Sequence, residues 1–318
     1  MCMRCRRDWS IVIEYEYVSV RFGGGIEMCS GDNAINRLLS EYQKIQDSNG
    51  TVPDWAVHKR TNATELVRCT IPFIGKEYFE QTKRILVYAS AENLSTYDQM
   101  HYDHWEGSWL DDNEKAENRH RRCFEEFNLD DFFPHVHIAP MNNGCLATAV
   151  FYVAHKLGLA GDSTPREFYE TIAIANYGKY SIETEQQRAE RLNIVGQGFA
   201  KSNIDYAGNL ELLEASHPFI KADLEALKPD IIILPGSVYK ADRRFIDANK
   251  GDARVIPINQ MNVSVINRII AKRYSRCAIE QLPPAVRCWY DHLEKGGMVN
   301  KSKLNYLSVF TYLDEVVK

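Results

Sequence analysis

Two short apolar runs in the second half of the chain end abruptly in small or amide residues. Residues 231–234 are followed by Pro235 and Gly236, and residues 254–258 are followed by a polar cluster that begins at Asn259. Short apolar runs bounded by turn-forming residues are typical of strands that are buried on both faces of a parallel sheet. Ligands bind at the carboxyl edge of such sheets. The pattern therefore predicts where a site lies, without naming its chemistry.

Four predicted strands alternate with long predicted helices. The strands are residues 84–89, 168–175, 231–234 and 254–258, and the helices are residues 145–157, 209–227, 238–249 and 263–274. This alternation implies right-handed crossovers and a mainly parallel sheet between helical layers. We therefore expect an α/β three-layer sandwich with a central four-stranded parallel sheet flanked by helices. A short helix near residues 76–82 is expected before the first strand.

The two ends of the chain lie outside this alternation. Residues 11–22 alternate like a strand and precede three glycines, so residues 1–30 are expected to form an extension or an edge hairpin. A helix is predicted over residues 34–46, and the central α/β domain is expected to cover residues 31–275. Two further helices, residues 285–294 and 303–317, are expected to form a C-terminal helical tail over residues 276–318.

The composition is that of an ordinary water-soluble chain. Of its 318 residues 45% are apolar and 25% are charged. No apolar run approaches the roughly 18 residues of a membrane span, and the basic amino terminus lacks the apolar core of a signal peptide. We expect a monomer without a membrane partner, located in the cytoplasm or, in a eukaryotic host, the nucleus.

The charges are unevenly distributed, although the net charge is −5. Residues 240–276 contain nine basic and three acidic residues, whereas residues 103–131 contain ten acidic and four basic residues. A basic segment beside a ligand-binding edge suits a partner that bears phosphate groups. A solvated helix face that is balanced by its neighbours is an equally open interpretation.

Known metal and phosphate motifs are absent. The eight cysteines are scattered, and Cys2 and Cys5 lack the second ligand pair of a zinc site. His101 and His104 lack a third ligand at a diagnostic spacing. No glycine-rich phosphate loop follows a predicted strand. We therefore expect no metal and no cofactor.

Polar side chains follow three of the predicted strands. Glu92 and Asn93 come shortly after the first, where they could orient a water molecule or cap a turn. Asn176 follows the second and could offer one donor and one acceptor to a planar ligand. Asn259 and Asn262 follow the last strand, and Asn262 could instead cap the helix behind it.

The order of these segments resembles the uracil-DNA glycosylase superfamily over roughly residues 71–275. Residues 84–93 resemble its first motif, residues 172–179 its second strand ending in asparagine, and residues 217–236 its following helix and strand. Residues 255–262 occupy the place of the family's His-Pro-Ser-Pro motif. The chain departs from the family where Ala89, Ser90 and Ala91 replace glycine and acid positions, and where Asn259 replaces the histidine.

The resemblance implies a protein that flips a damaged base out of DNA and cleaves its N-glycosidic bond. It assigns the orientation of the attacking water to Glu92 or Asn93. The implied substrate-binding residues are Ser90, Tyr88, Tyr97, Asn176, Asn259 and Asn262, with Tyr88 or Tyr97 as a stacking ring. Two alternatives stay open: a protein of this fold that binds a nucleobase, nucleotide or nucleic acid without cleaving it, and a small-molecule α/β transferase or hydrolase.

Overall fold

A mostly parallel sheet forms the centre of the protein. The computed structural model describes residues 30–49, 72–93, 145–163, 165–182, 210–295 and 303–318. Within these ranges five strands form one sheet: β1 Phe73–Ile74, β2 Ile85–Asn93, β3 Ile172–Ile182, β4 Ile231–Pro235 and β5 Arg254–Ile258. Their order is β1-β3-β2-β4-β5. The neighbours among β2 to β5 pair in parallel, and β1 adds a short antiparallel strand beside β3.

Helices cover both faces of this sheet. They are α1 Ser30–Asn49, α2 Cys145–Lys156, α3 Pro165–Tyr169, α4 Leu210–Leu227, α5 Gly236–Asn249, α6, α7 Pro284–Lys295 and α8 Lys303–Val316. Helix α6 consists of Val263–Val265, the π-helical turn Ile266–Ile270 and Ala271–Arg273. No helix in the described ranges combines the length and apolar character that a bilayer span requires.

Successive side chains of each strand point to opposite faces of the sheet. Ile85 and Val87 of β2 lie in one core cluster with residues of α2, α7 and α8. Leu86 and Tyr88 lie in the other, with residues of α1, α4 and α5. The expected three-layer sandwich is thus confirmed, with a fifth strand added, and α8 of the C-terminal tail packs directly against the sheet.

Two strands are longer than predicted. They were expected to end at residues 89 and 175, but β2 continues to Asn93 and β3 to Ile182 because the two strands pair with each other beyond these points. Asn176 therefore lies within β3 and not after its end.

Two other elements differ from the predictions. The apolar run 168–175 was expected to be one strand, but Phe168 and Tyr169 belong to helix α3 and the strand begins only at Ile172. The hydroxyl of Thr171 donates to the Phe168 carbonyl at 2.6 Å, and this turn separates helix from strand. The helix expected near residues 76–82 is only the 3₁₀ turn Tyr78–Glu80. The extension of residues 1–29 lies outside the described residues.

Asp230 joins the amino ends of three parallel strands. Its carboxylate accepts a hydrogen bond from the Arg84 backbone N–H at 3.0 Å and forms an ion pair with Lys83 Nζ at 3.1 Å. Its own backbone N–H donates to the Arg84 carbonyl, and its carbonyl accepts from Arg254. The Arg84 backbone N–H and the Lys83 ammonium lower the pKa of Asp230 below its ordinary value, against a smaller effect of burial.

We expect Asp230→Asn to reduce the acid sensitivity of folding. A carboxyl whose pKa is lowered by folding stabilises the protein above the unfolded pKa of about 3.9, and this contribution is lost as the pH falls through the folded pKa. Urea unfolding at pH 7 should show a loss of about 1 kcal/mol, and the fall in stability below about pH 4 should be shallower than in the parent. Asp252→Asn, at an exposed carboxyl, is the matched control. Identical pH profiles for the parent and Asp230→Asn would contradict this role.

Candidate functional site

The carboxyl ends of the parallel strands form a step. Asn176 of β3 pairs with Ala89 of β2, and Ala89 lies two residues after the pair formed by Val87 and Ile233. Ala89 is therefore level with Pro235, where β4 ends beside the end of β5. β2 continues from Ala89 to Asn93, four residues at about 3.3 Å each, so it extends roughly 13 Å beyond the ends of β4 and β5.

The chain connections create a topological switch point at this step. β2 connects to β3 on one side of the sheet, whereas β4 connects to β5 on the other. Between β2 and β4 the crossovers therefore leave in opposite directions, and open α/β sheets bind ligands outside the carboxyl ends at such a switch point. A ligand-binding crevice is therefore expected above the ends of β4 and β5 with the extension of β2 as one wall, and we call this expected site the crevice.

Glu92 and Asn93, the residues expected to orient water, lie on this extension of β2. The register shifts there: Ala91 pairs with Gly178, but Asn93 pairs with Ile182, so β3 advances four residues while β2 advances two. Irregularities of this kind change the direction of side chains and occur often beside sites. The side chains of Glu92 and Asn93 and the whole of Tyr97 lie outside the described residues.

The expected substrate-binding residues of β2 and β3 lie on two different faces of the sheet. Asn176, 3% exposed, follows Ile172 and Ile174 on the face covered by α2 and α8. Tyr88, 1% exposed, lies on the other face, and its ring packs edge to face against Tyr177. Ser90 is half-buried and shares the face of Tyr88 by strand alternation. Asn176 and Ser90 therefore lie at nearly the same level along their strands, but their side chains point to opposite faces of the sheet.

Asn259 and Asn262 join the end of β5 to the start of α6. The backbone N–H of Asn259 donates to the Tyr312 hydroxyl at 2.7 Å, which ties this strand end to α8. Asn262 Oδ1 accepts a hydrogen bond from the Val265 backbone N–H at 2.8 Å. The helix-capping interpretation of Asn262 is therefore confirmed. Both side chains are half-buried beside the crevice.

A buried ion pair beside the extension of β2 was missed from sequence. Lys179 Nζ of β3 contacts Asp223 Oδ2 of α4 at 2.5 Å, and both side chains are fully buried. Tyr42 of α1 donates its hydroxyl to Asp223 Oδ1 at 2.5 Å, and Tyr88 donates to Oδ2 at 3.0 Å. The ammonium also lies 5.4 and 5.5 Å from the ring centroids of these tyrosines. We call these four residues the lysine network.

The lysine network connects both strands of the crevice wall to the helices behind them. Its members come from β2, β3, α1 and α4, and Ser216 adds a contact by accepting a hydrogen bond from the Lys179 backbone N–H at 3.1 Å. Complete burial raises the pKa of Asp223, and the Lys179 ammonium opposes that rise. Burial also raises the pKa of Tyr88, so its hydroxyl stays a proton donor. The sequence offered one signal of this pair: in the alternation of β3, Lys179 occupies a position whose side chain points into the core.

A second polar cluster connects β3 with α4 and α5. Asp242 Oδ2 accepts a hydrogen bond from the Tyr177 hydroxyl at 2.5 Å and contacts His217 Nε2 at 2.7 Å. The imidazole of His217 stacks on the Phe245 ring with the centroids 3.6 Å apart. The backbone of Asp242 leaves helical geometry (φ −117°, ψ 23°), so this contact coincides with a kink in α5. The cluster holds the two helices together and orients one histidine.

The described residues bring together no group of three or more His, Cys, Asp or Glu side chains that could hold a metal ion. Comparisons with protein-family models, with curated proteins and with solved structures found no match for this chain. Sheets of this type serve many chemistries, so the fold alone does not specify a function. The crevice and its surroundings are therefore the basis for a functional assignment.

We expect either single change in the buried pair to be strongly destabilising. Lys179→Met or Asp223→Asn leaves one charge buried without its partner, which costs about 3–5 kcal/mol. The double variant Lys179→Met/Asp223→Leu removes both charges and should lose less than the sum of the two single losses. Urea unfolding measures these differences. Lys221→Met, an exposed change on the same helix, should stay within about 0.5 kcal/mol of the parent. Strictly additive losses would contradict the coupling.

Proposed function

We propose that this chain is a divergent uracil-DNA glycosylase-like protein that binds a nucleotide of DNA in the crevice and hydrolyses its N-glycosidic bond. One observation carries the proposal: the polar residues of the three segments that resemble motifs of this family lie at or beyond the level at which β4 and β5 end. Asn176 lies within β3, Glu92 and Asn93 at the end of β2, and Asn259 directly after β5, in that order across the sheet.

The distance across the sheet between these residues suits a nucleotide. β3 and β5 are separated by three strand intervals of about 4.8 Å, so Asn176 and Asn259 begin from backbones roughly 14 Å apart. This span is wide for a single base but suits a base, a sugar and a phosphate that cross the switch point. The base would lie nearer β3, and the phosphate nearer β5 and the start of α6.

Each of these residues would have a separate role in the proposed reaction. Asn176 would exchange hydrogen bonds with one edge of the base, because an amide offers both a donor and an acceptor. Glu92 or Asn93 would orient a water molecule toward the sugar carbon as the bond to the base breaks. Asn259, which lies after β5, would donate a hydrogen bond from its side-chain amide to the phosphate. The backbone N–H groups at the start of α6 favour a phosphate.

Binding without cleavage is the second candidate, and a specific observation favours it. Asn259 stands where the family has a histidine, and an amide cannot carry the positive charge of an imidazolium. Its backbone is also held by Tyr312, at a hydroxyl whose pKa is raised by burial. A crevice of this composition could retain a nucleotide after losing the ability to break its glycosidic bond.

Oligonucleotides that contain uracil, hypoxanthine or xanthine test the proposal, with alkali-labile sites as the measure of cleavage. We expect Glu92→Gln or Asn93→Ala to lower the cleavage rate by about 10²–10⁴-fold, the usual effect of losing a group that activates water. Asn176→Asp should change the preference among the three bases, because it replaces a donor with an acceptor at nearly constant volume.

Glu214→Gln, at an exposed position on α4, is the matched control and should cleave like the parent. Salt-dependent binding without cleavage by the parent would favour the second candidate. If the parent neither cleaves nor binds in a salt-dependent manner, the assignment to nucleic acid is wrong.

A further inference from the structure

Helix α6 presents an exposed cationic face beside the crevice. The chain contains no aspartate or glutamate from residue 253 to residue 279, although the protein as a whole has a net charge of −5. Arg254, at the start of β5, donates to backbone carbonyls of the last two residues. The other exposed cations of this stretch lie in α6 or directly after it, and we call them the α6 basic face: Arg268, Lys272, Arg273 and Arg276. Attraction of a polyanion to this protein therefore has to be local.

The cations of the α6 basic face make no ion pair with any residue that the structure describes. Some of the other exposed cations in the same ranges have carboxylate partners, whereas Lys240 and Arg244 have none among the described residues. Lys83 pairs with Asp230 at 3.1 Å, Lys156 pairs with Asp314 at 3.0 Å, and Arg243 donates to Asp247 at 3.2 Å. Four neighbouring charges without such partners repel one another, and a polyanion relieves that repulsion.

The shape of α6 supports a binding role for this face. The helix begins at the Asn262 cap beside the crevice and continues to Arg273, about 15 Å at 1.5 Å per residue. Its middle turn is π-helical, Ile266–Ile270, a geometry that is frequent at functional sites. Ile269 within that turn is 39% exposed, one of the few large apolar side chains on the described surface to be so.

We infer that the α6 basic face binds the phosphate backbone of duplex DNA next to the nucleotide held in the crevice. The inference rests on the proposed function for the identity of the polymer. Charge complementarity supports it, because duplex DNA carries about one negative charge per 1.7 Å of its axis and a face of this length meets several phosphates. The guanidinium groups suit phosphate oxygens because they can donate two hydrogen bonds at once.

Binding of an unmodified duplex, without any target base, tests the inference independently of cleavage. The affinity of the full chain is measured by fluorescence anisotropy from about 50 to 200 mM salt, where log K falls with log salt by about 0.9 per phosphate contact. The variant Arg268→Gln/Lys272→Gln/Arg273→Gln/Arg276→Gln should lower the slope by about 3 to 4. Each single change should lower it by about 0.9.

A control variant removes the same number of charges elsewhere. Lys76→Gln/Lys221→Gln/Lys240→Gln/Arg244→Gln changes four exposed cations outside α6 and should lower the slope by less than about 1. Equal effects of the two variants, or an unchanged slope in the α6 variant, would overturn the inference. If the α6 variant keeps its salt slope but unfolds more easily at low salt, or changes its self-association, the α6 basic face contacts the chain itself or a second copy. That result would also overturn the inference.

The two proposals can fail separately. If the parent cleaves modified oligonucleotides but the α6 variant keeps the full salt slope, the basic face is wrong and the proposed function stands. If the α6 variant loses the slope but the parent never cleaves, the phosphate surface stands and hydrolysis is wrong.

Discussion

Asn176 pairs with Ala89 and Pro235 pairs with Ile258, and these pairings place Asn176 level with the carboxyl ends of β4 and β5, beyond which β2 and β3 continue. The register is enforced by the core, because a slip of one residue would turn the apolar side chains of a strand to the wrong face. The crevice, the extension of β2 beyond it and the start of α6 all depend on this register. The backbone pairing of the strands therefore determines where the candidate site lies, and the side chains at that place determine what it can bind.

The lysine network stabilises the helical layer behind these strands. Removing Lys179 and Asp223 from water is costly, and their attraction offsets that cost only because the geometry is close and the tyrosine hydroxyls satisfy the carboxylate. Apolar packing would tolerate small shifts of α4 over the sheet, whereas directional hydrogen bonds to Asp223 permit only one position. The network therefore helps to fix the position of β3, including Asn176, relative to helices α1 and α4.

The positive charge near the crevice is local, and the protein as a whole is acidic. A protein with a net charge of −5 does not attract DNA as a whole, and the acid-free stretch that contains α6 is a local exception. This stretch starts beside the crevice, so a bound polymer could contact the strand ends and the helix together. Weak contacts to phosphates would then position the strand, while the Asn176 amide would select a base.

The sequence alone determined the α/β class, the boundaries of β5 and most of the helices, because the apolar periods of strands and helices are local properties of the chain. It also located the cap at Asn262. Only the tertiary structure decided that Phe168 belongs to a helix, that β2 continues to Asn93, and that Tyr88 and Asn176 face opposite layers. It also paired Lys179 with Asp223, 44 positions away. These outcomes depend on contacts between residues distant in the chain, which no local pattern encodes.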